Sequence, residues 1–338
     1  MTALLSLLLL GLLLSTVAPG RLARARWAER EPVLALCVWQ CLVVAVLLCC
    51  LLSLLLAGTA ALPGLRALVF AGAPHGVEAA YGLAGGEGWG RFWAALLALG
   101  GLWTAYSLTR EIWSARVLRG RRHAQLDRRA PEIPLELTTR EPRSRHAARE
   151  RLVVLESLRP EAWSLPGPDA RLVVTTGALR QLSDRELAAV LSHERGHVRA
   201  RHHWLAQCAE ALAAGFPGVG VFSAFRDQVG ELVELAADDR AARRHGRLTT
   251  ALALVELNSG NGVFGNCPSP PTPSSGRTRT PQLAAQAPRR VDRLLAGEPR
   301  LPMDRRLRLT LAALAAPATA LLLAAAPGLS ALLQGLHR

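Results

Sequence analysis

His193-Glu194-Arg195-Gly196-His197 sets two imidazoles four residues apart with a carboxylate between them. On a helix that spacing puts both histidines on one face, about one turn apart. Two neutral imidazoles so placed can grip one Zn²⁺. The intervening Glu194 then stands beside the ion and can take a proton from a water held there. The ordinary alternative is a surface helix that happens to carry two histidines.

A third ligand would separate two kinds of site. One kind continues H-E-x-x-H-x-x-G-x-x-H. His203 falls at its last position, but Ala200 stands where the glycine belongs, and without glycine a helix has no cheap way to bend back. On an unbroken helix His203 lies roughly 240° around from His197 and points away. His202 and His203 therefore read as a solvated or membrane-edge pair. The other kind takes a glutamate from a later helix, here Glu234-Leu235-Ala236-Ala237-Asp238. Glu234 is the preferred third ligand and would complete a His₂Glu site. Asp238, on the same face, is placed to hold a ligand histidine's other nitrogen or a nearby arginine. Glu231, one turn earlier, competes with Glu234, and a plain polar helix face is the ordinary reading of all three acids. Arg240, His245 and His202 are candidates to steady a developing oxyanion.

Such a site needs a helix, and the flanks predict one. Ser183-Asp184-Arg185-Glu186 is a capping box, with Leu182 and Leu187 at the staple positions. Leu187, Val190, Leu191 and Val198 form an apolar stripe. Upstream, Leu152 to Leu155, Ala162 to Leu165 and Leu172 to Thr175 read as short strands. Pro166-Gly167-Pro168-Asp169 marks the turn of a hairpin between the last two. Its edge could pair with an extended substrate; a purely structural hairpin is the alternative. Downstream, the apolar stretch Trp204 to Phe225 is broken at Gly215, Pro217 and Gly220. The Glu234 helix is expected to end at His245, with Gly246 as its C-cap. A further helix is expected from about Thr249 to Leu257. Residues 258–288, rich in Gly, Pro, Ser and Thr, read as a mobile loop, and Arg289 to Leu295 as a short basic helix.

Half of the 338 residues are hydrophobic, and the net charge is +14, carried by 40 arginines and no lysine. Without an aromatic-interleaved basic module, that charge reads as membrane-surface charge and not as a nucleic-acid footprint. Four apolar runs approach spanning length: Leu4 to Val17, Val33 to Ala57, Phe92 to Leu108 and Leu309 to Leu333. No basic residue precedes the first run, and Arg21, Arg24, Arg26 and Arg30 follow it. That pattern favours an uncleaved anchor over a signal peptide. Arginines also crowd both ends of the long middle segment (Arg110, Arg116, Arg119, Arg121 and Arg122; Arg300, Arg305, Arg306 and Arg308), which places it on the cytoplasmic side. Trp89, Trp93 and Trp113 bracket the third run as interface anchors would. The six cysteines lack zinc-finger spacing and read as small apolar residues.

The expected architecture is a polytopic α-helical membrane protein with about four transmembrane helices and a cytoplasmic α+β domain. Residues 1–110 carry three spans, 111–307 the zinc domain, and 308–338 the fourth span and a short tail.

A cytoplasmic H-E-x-x-H domain between third and fourth spans resembles the BlaR/MecR-like membrane metallopeptidases. The likeness includes Ala162-Trp163-Ser164-Leu165-Pro166-Gly167, Val173-Val174-Thr175-Thr176-Gly177-Ala178-Leu179, His193-Glu194-x-x-His197, Glu234-x-x-x-Asp238 and Arg290-Val291-x-Arg293-Leu294-Leu295. The zinc and E-x-x-x-D motifs are also similar to those of HtpX-like peptidases, in which a histidine often precedes a proline after the Glu helix; here Thr280 precedes Pro281. The resemblance implies a gluzincin fold with one Zn²⁺ per chain, ligands His193, His197 and Glu234, and Glu194 as base. It also implies a protein substrate in the cytoplasm, such as a BlaI/MecI-like repressor, or damaged membrane proteins if the HtpX-like likeness governs. The expected setting is the plasma membrane, multi-pass, with the lipid bilayer as partner, no direct nucleic-acid contact, and a homo-oligomer compatible with the sequence. The chain ends after the fourth span, where the best-known relatives carry a β-lactam-binding domain, so sensing through such a domain is not expected.

Overall fold

A computed structural model describes residues 2–74, 77–82, 87–129, 132–133, 151–165, 171–259 and 279–336. The chain divides into two compact units. One holds Met1–Arg110, Ala209–Gln228 and Leu301–Arg338; the other holds Glu111–Cys208 and Val229–Arg300.

The first unit is helical. It contains α1 (Thr2–Ala23), α2 (Trp27–Arg30), α3 (Pro32–Ala61), α4 (Pro63–Phe70), α5 (Val77–Ala80) and the first part of α6 (Glu87–Arg129). Among the described residues, three helices are long and apolar enough to cross a membrane: Thr2–Ala23, Pro32–Ala60 and Met303–Gln334. The Phe92 to Leu108 run lies inside α6, and the side chains of Trp89 and Trp93 fall outside the described ones. Leu7, Cys49 and Ala320 form the buried seam of α1, α3 and the C-terminal helix, with Leu10, Leu52 and Leu323 packed around it. Gly11 permits the approach, since a Cβ there would come within 3.2 Å of the Cys49 Cβ. Leu9, Leu12, Leu51, Leu311 and Leu322 point outward, as lipid-facing side chains do. The Tyr81 hydroxyl donates to the Ala324 carbonyl at 3.0 Å.

Among the described residues, the second unit is built on a four-stranded sheet. Its strands are β1 (Glu132–Ile133), β2 (Arg151–Leu155), β3 (Ala162–Leu165) and β4 (Arg171–Thr175), in the order β1-β2-β4-β3. The β3–β4 pair is antiparallel, with Trp163 opposite Val173; β2 and β4 run parallel. The expected strands are present. The expected turn Pro166-Gly167-Pro168-Asp169 lies outside the described residues. Thr175 caps α7 (Thr176–Gln181), accepting from the Ala178 amide. Ser183 and Glu186 form the capping box of α8 (Asp184–Arg199) in both directions. Then come α9 (His202–Gly215) and α10 (Gly220–His245), whose stretch from Ala209 to Gln228 belongs to the first unit, then α11 (Arg247–Ser259), α12 (Arg279–Ala296) and, in the first unit, α13 (Met303–Leu336).

One sheet face carries Leu152, Ala162, Leu172 and Val174. It is covered by Ala178, Leu182, Val190, Leu254 and Leu257. Each large aliphatic buried there contributes about 1.5–3 kcal/mol relative to exposure. That packing anchors α8, and with it the histidines, to the sheet.

Two expectations change here. The loop expected over 258–288 is helical at both ends: α11 runs to Ser259, and α12 begins at Arg279 and passes through Pro288. Residues 260–278 lie outside the described residues. The helix also does bend back after the histidine motif. Arg201 adopts φ 53° between α8 and α9, in the left-handed region without being glycine.

Candidate metal centre

The capping box starts α8 so that His193 and His197 fall on the side facing α10. Their Nε2 atoms stand 3.0 Å apart. From α10, Glu234 Oε2 lies 3.5 Å from His193 Nε2, and Oε1 lies 3.5 Å from His197 Nε2. One donor atom from each of the three residues lies within 4.8 Å of the others. The helices pass closely at Gly196, where a Cβ would meet Ala237 Cα at 3.6 Å, an ordinary contact distance.

Around this trio the acids are deeply buried. Glu194, Glu234 and Asp238 are 2%, 3% and 0% exposed. Asp238 Oδ1 lies 3.0 Å from His193 Nδ1. Arg290 of α12 donates to both Asp238 oxygens, from Nε at 2.8 Å and Nη2 at 2.7 Å. Its Nη1 sits 3.1 Å from Glu234 Oε2. Buried charges are tolerable only when paired in this way.

The charges follow from these contacts. Burial opposes a charge on His193, but hydrogen bonds to Asp238 and Glu234 outweigh it and raise the imidazole to about 9. Burial takes His197 down to about 3 against the pull of Glu234. Burial also opposes the Asp238 and Glu234 carboxylates, yet Arg290 and the histidines hold both below the usual carboxylate range. Asp238 and Glu234 in turn raise Arg290 despite its burial. Burial pushes Glu194 up to about 7, moderated by His193 and by hydrogen bonds from Ser164 of β3. Among the described residues no group hydrogen-bonds Glu194 Oε1.

The residues fit a divalent metal ion. Two imidazole nitrogens aimed at each other across 3.0 Å, with a carboxylate reaching both, form a His₂Glu donor set that leaves room for a fourth ligand. Each partner nitrogen is also oriented from behind.

The other sequence candidates lie elsewhere. Glu231, the competing ligand, pairs with Arg289 at 3.1 Å. Arg240 crosses Gly196, its Cδ 3.3 Å from where a Cβ would stand. His245 is half-buried near Arg244 and Arg195, and burial lowers its pKa. His203 stands beside Trp204, ring centroids 5.9 Å apart. His202 is the correction: it is not solvated but only 7% exposed, with Nδ1 3.1 Å from Nδ1 of His197. The bend at Arg201 turns it inward. Burial takes it down to about 4.

Arg290 and Ser164 also join the site, and both lie in the family-like stretches Arg290-Val291-x-Arg293 and Ala162-Trp163-Ser164-Leu165. An acid pair at helical spacing that must be buried called for a cation, and Arg290 was the signal for it.

No curated protein and no solved structure matches the chain. Residues 128–244, which hold the sheet, the histidine motif and Glu234, match the model of peptidase family M48, and that stretch is thereby similar to a metallopeptidase domain.

Proposed function

We propose that this chain is a membrane-anchored zinc endopeptidase that cleaves a cytoplasmic protein. One observation carries the reading: a buried glutamate, Glu194, beside three donors within 4.8 Å of one another. A structural metal site has no need of a base next to it, which argues against a non-catalytic signalling protein with a vestigial centre.

His193, His197 and Glu234 would hold the Zn²⁺, which supplies Lewis acidity that acidifies water and polarises a carbonyl. Glu194, poised near neutrality by burial, takes the proton from water and later delivers it to the leaving amine. Asp238 holds the Nδ1 side of His193, and Arg290 keeps Asp238 and Glu234 ionised. Strand β3 ends the sheet on the side of Ser164, which hydrogen-bonds Glu194. An extended substrate adding to that edge would carry its backbone past the base.

The apolar helices support membrane anchoring, with the Phe92 to Leu108 run of α6 as a fourth span. Arginines flanking the middle segment support a cytoplasmic site in the plasma membrane. The BlaR/MecR-like resemblance favours a BlaI/MecI-like repressor as substrate, and hence signal transduction. The HtpX-like resemblance favours quality control of membrane proteins.

Comparing protein N-termini in cells expressing wild type or Glu194→Gln tests this. The reading expects new N-termini with wild type alone. A soluble DNA-binding target supports signalling, and a membrane target supports quality control. An identical set from a variant that retains zinc removes Glu194 as base.

A further inference from the structure

We infer that His202 is a positioning residue for the metal centre: it holds His197 from behind, as Asp238 holds His193. The inference rests on the metal-centre reading above.

His197 presents Nε2 toward His193 and Glu234. Once that nitrogen donates its lone pair to an ion, the ring's proton must sit on Nδ1. Nδ1 faces His202 Nδ1 at 3.1 Å, and the two rings meet edge to face at 84°. The His197 N–H therefore donates to an unprotonated His202 Nδ1, and the His202 proton resides on Nε2. One neutral imidazole thereby sets the tautomer and plane of the other. A carboxylate does the same for His193.

The backbone is shaped to make this contact. On a continuous helix His202 would lie about 140° around from His197 and could not reach it. Instead α8 ends at Arg199, and Arg201 takes φ 53°. The Trp204 amide then donates to the Arg201 carbonyl at 2.9 Å as α9 begins. A non-glycine residue in the left-handed region is strained, and here it delivers a buried histidine to the back of a ligand.

The test uses the full chain in detergent and measures Zn²⁺ affinity by competition with a chelator, together with the visible spectrum of the Co²⁺-loaded protein. His202→Ala should weaken Zn²⁺ binding about 10- to 100-fold and alter the Co²⁺ bands. His202→Asn, whose amide oxygen can accept the same N–H, should restore affinity to within a few-fold of wild type. A purely packing role predicts instead that Ala and Asn variants bind equally, or that Ala binds as wild type does; either result overturns the inference. Wild type that takes up no Zn²⁺ overturns the metal-centre reading itself, and this proposal with it.

Discussion

Asp238 Oδ1 lies 3.0 Å from Nδ1 of His193, and the guanidinium of Arg290 closes on the other side of the same carboxylate. The aspartate thus joins the histidine motif on α8 to an arginine on α12, 52 positions further along the chain. Asp238→Asn should keep the fold but lower Zn²⁺ affinity about 10- to 100-fold, because the amide is a weaker partner for the imidazole N–H. Chelator competition measures it; unchanged affinity removes Asp238 from the centre.

Arg290 is 3% exposed and neutralises two buried carboxylates. Arg290→Met removes the guanidinium and leaves protonated His193 to face both carboxylates, so the metal-free protein should lose up to about 3–5 kcal/mol. Arg290→Lys should rescue only partly, because an ammonium cannot bridge both Asp238 oxygens in one plane. Denaturant unfolding of the three proteins checks this. Equal stability of wild type and Arg290→Met would show that the pair is dispensable.

Metal binding should release protons. In the metal-free protein His193 is raised to about 9 and so carries its proton at neutral pH, but a ligand imidazole must give that proton up. Calorimetry in buffers of different ionisation enthalpy should find about one proton or more released per ion near pH 7, falling toward zero above about pH 9. Near-zero release at neutrality would contradict the charge assigned to His193.

The stability of the metal-free protein should peak near pH 6.5. His193 is raised to about 9, so the folded state holds a proton that the unfolded state loses above its ordinary value of about 6.5; that stabilisation disappears as pH rises through 9. His197 and His202 are lowered to about 3 and about 4. Below pH 6.5 the unfolded chain takes up two protons there that the folded chain refuses. Glu194, raised to about 7, offsets one of them. Asp238 is held below the usual range, and its contribution is lost as pH falls further. Thermal unfolding across pH should show this maximum, and Zn²⁺ should abolish the alkaline decline. A flat profile would contradict these shifts.

Two glycines should differ sharply. A Cβ on Gly177 would collide with the Leu158 carbonyl, which is backbone and cannot swing away. Gly177→Ala should cost about 1–3 kcal/mol or more. At Gly196 the nearest atom is the Arg240 Cδ, at 3.3 Å. That side chain can shift, so Gly196→Ala should be much milder. Thermal unfolding of both variants decides it.

Local sequence determined a good part of this protein. The capping box and apolar stripe specify α8, because both act within a few residues. The four-residue spacing then puts His193 and His197 on one face whatever else happens. The apolar runs specify membrane-length helices, and alternation and turn residues specify the short strands. Other features were decided only by tertiary structure. No residue preference marks Arg201 for the left-handed region, yet its turn between α8 and α9 changes His202 from a supposed surface residue into a partner of His197. Nothing local says that β4 should lie between β2 and β3, because strand order depends on which faces the helices cover. The choice of Glu234 over Glu231 depends on which acid α10 turns toward α8. The role of Arg290 depends on α12 returning beside α10. A cation is required wherever two carboxylates are buried, but which arginine supplies it is settled only when the chain folds back.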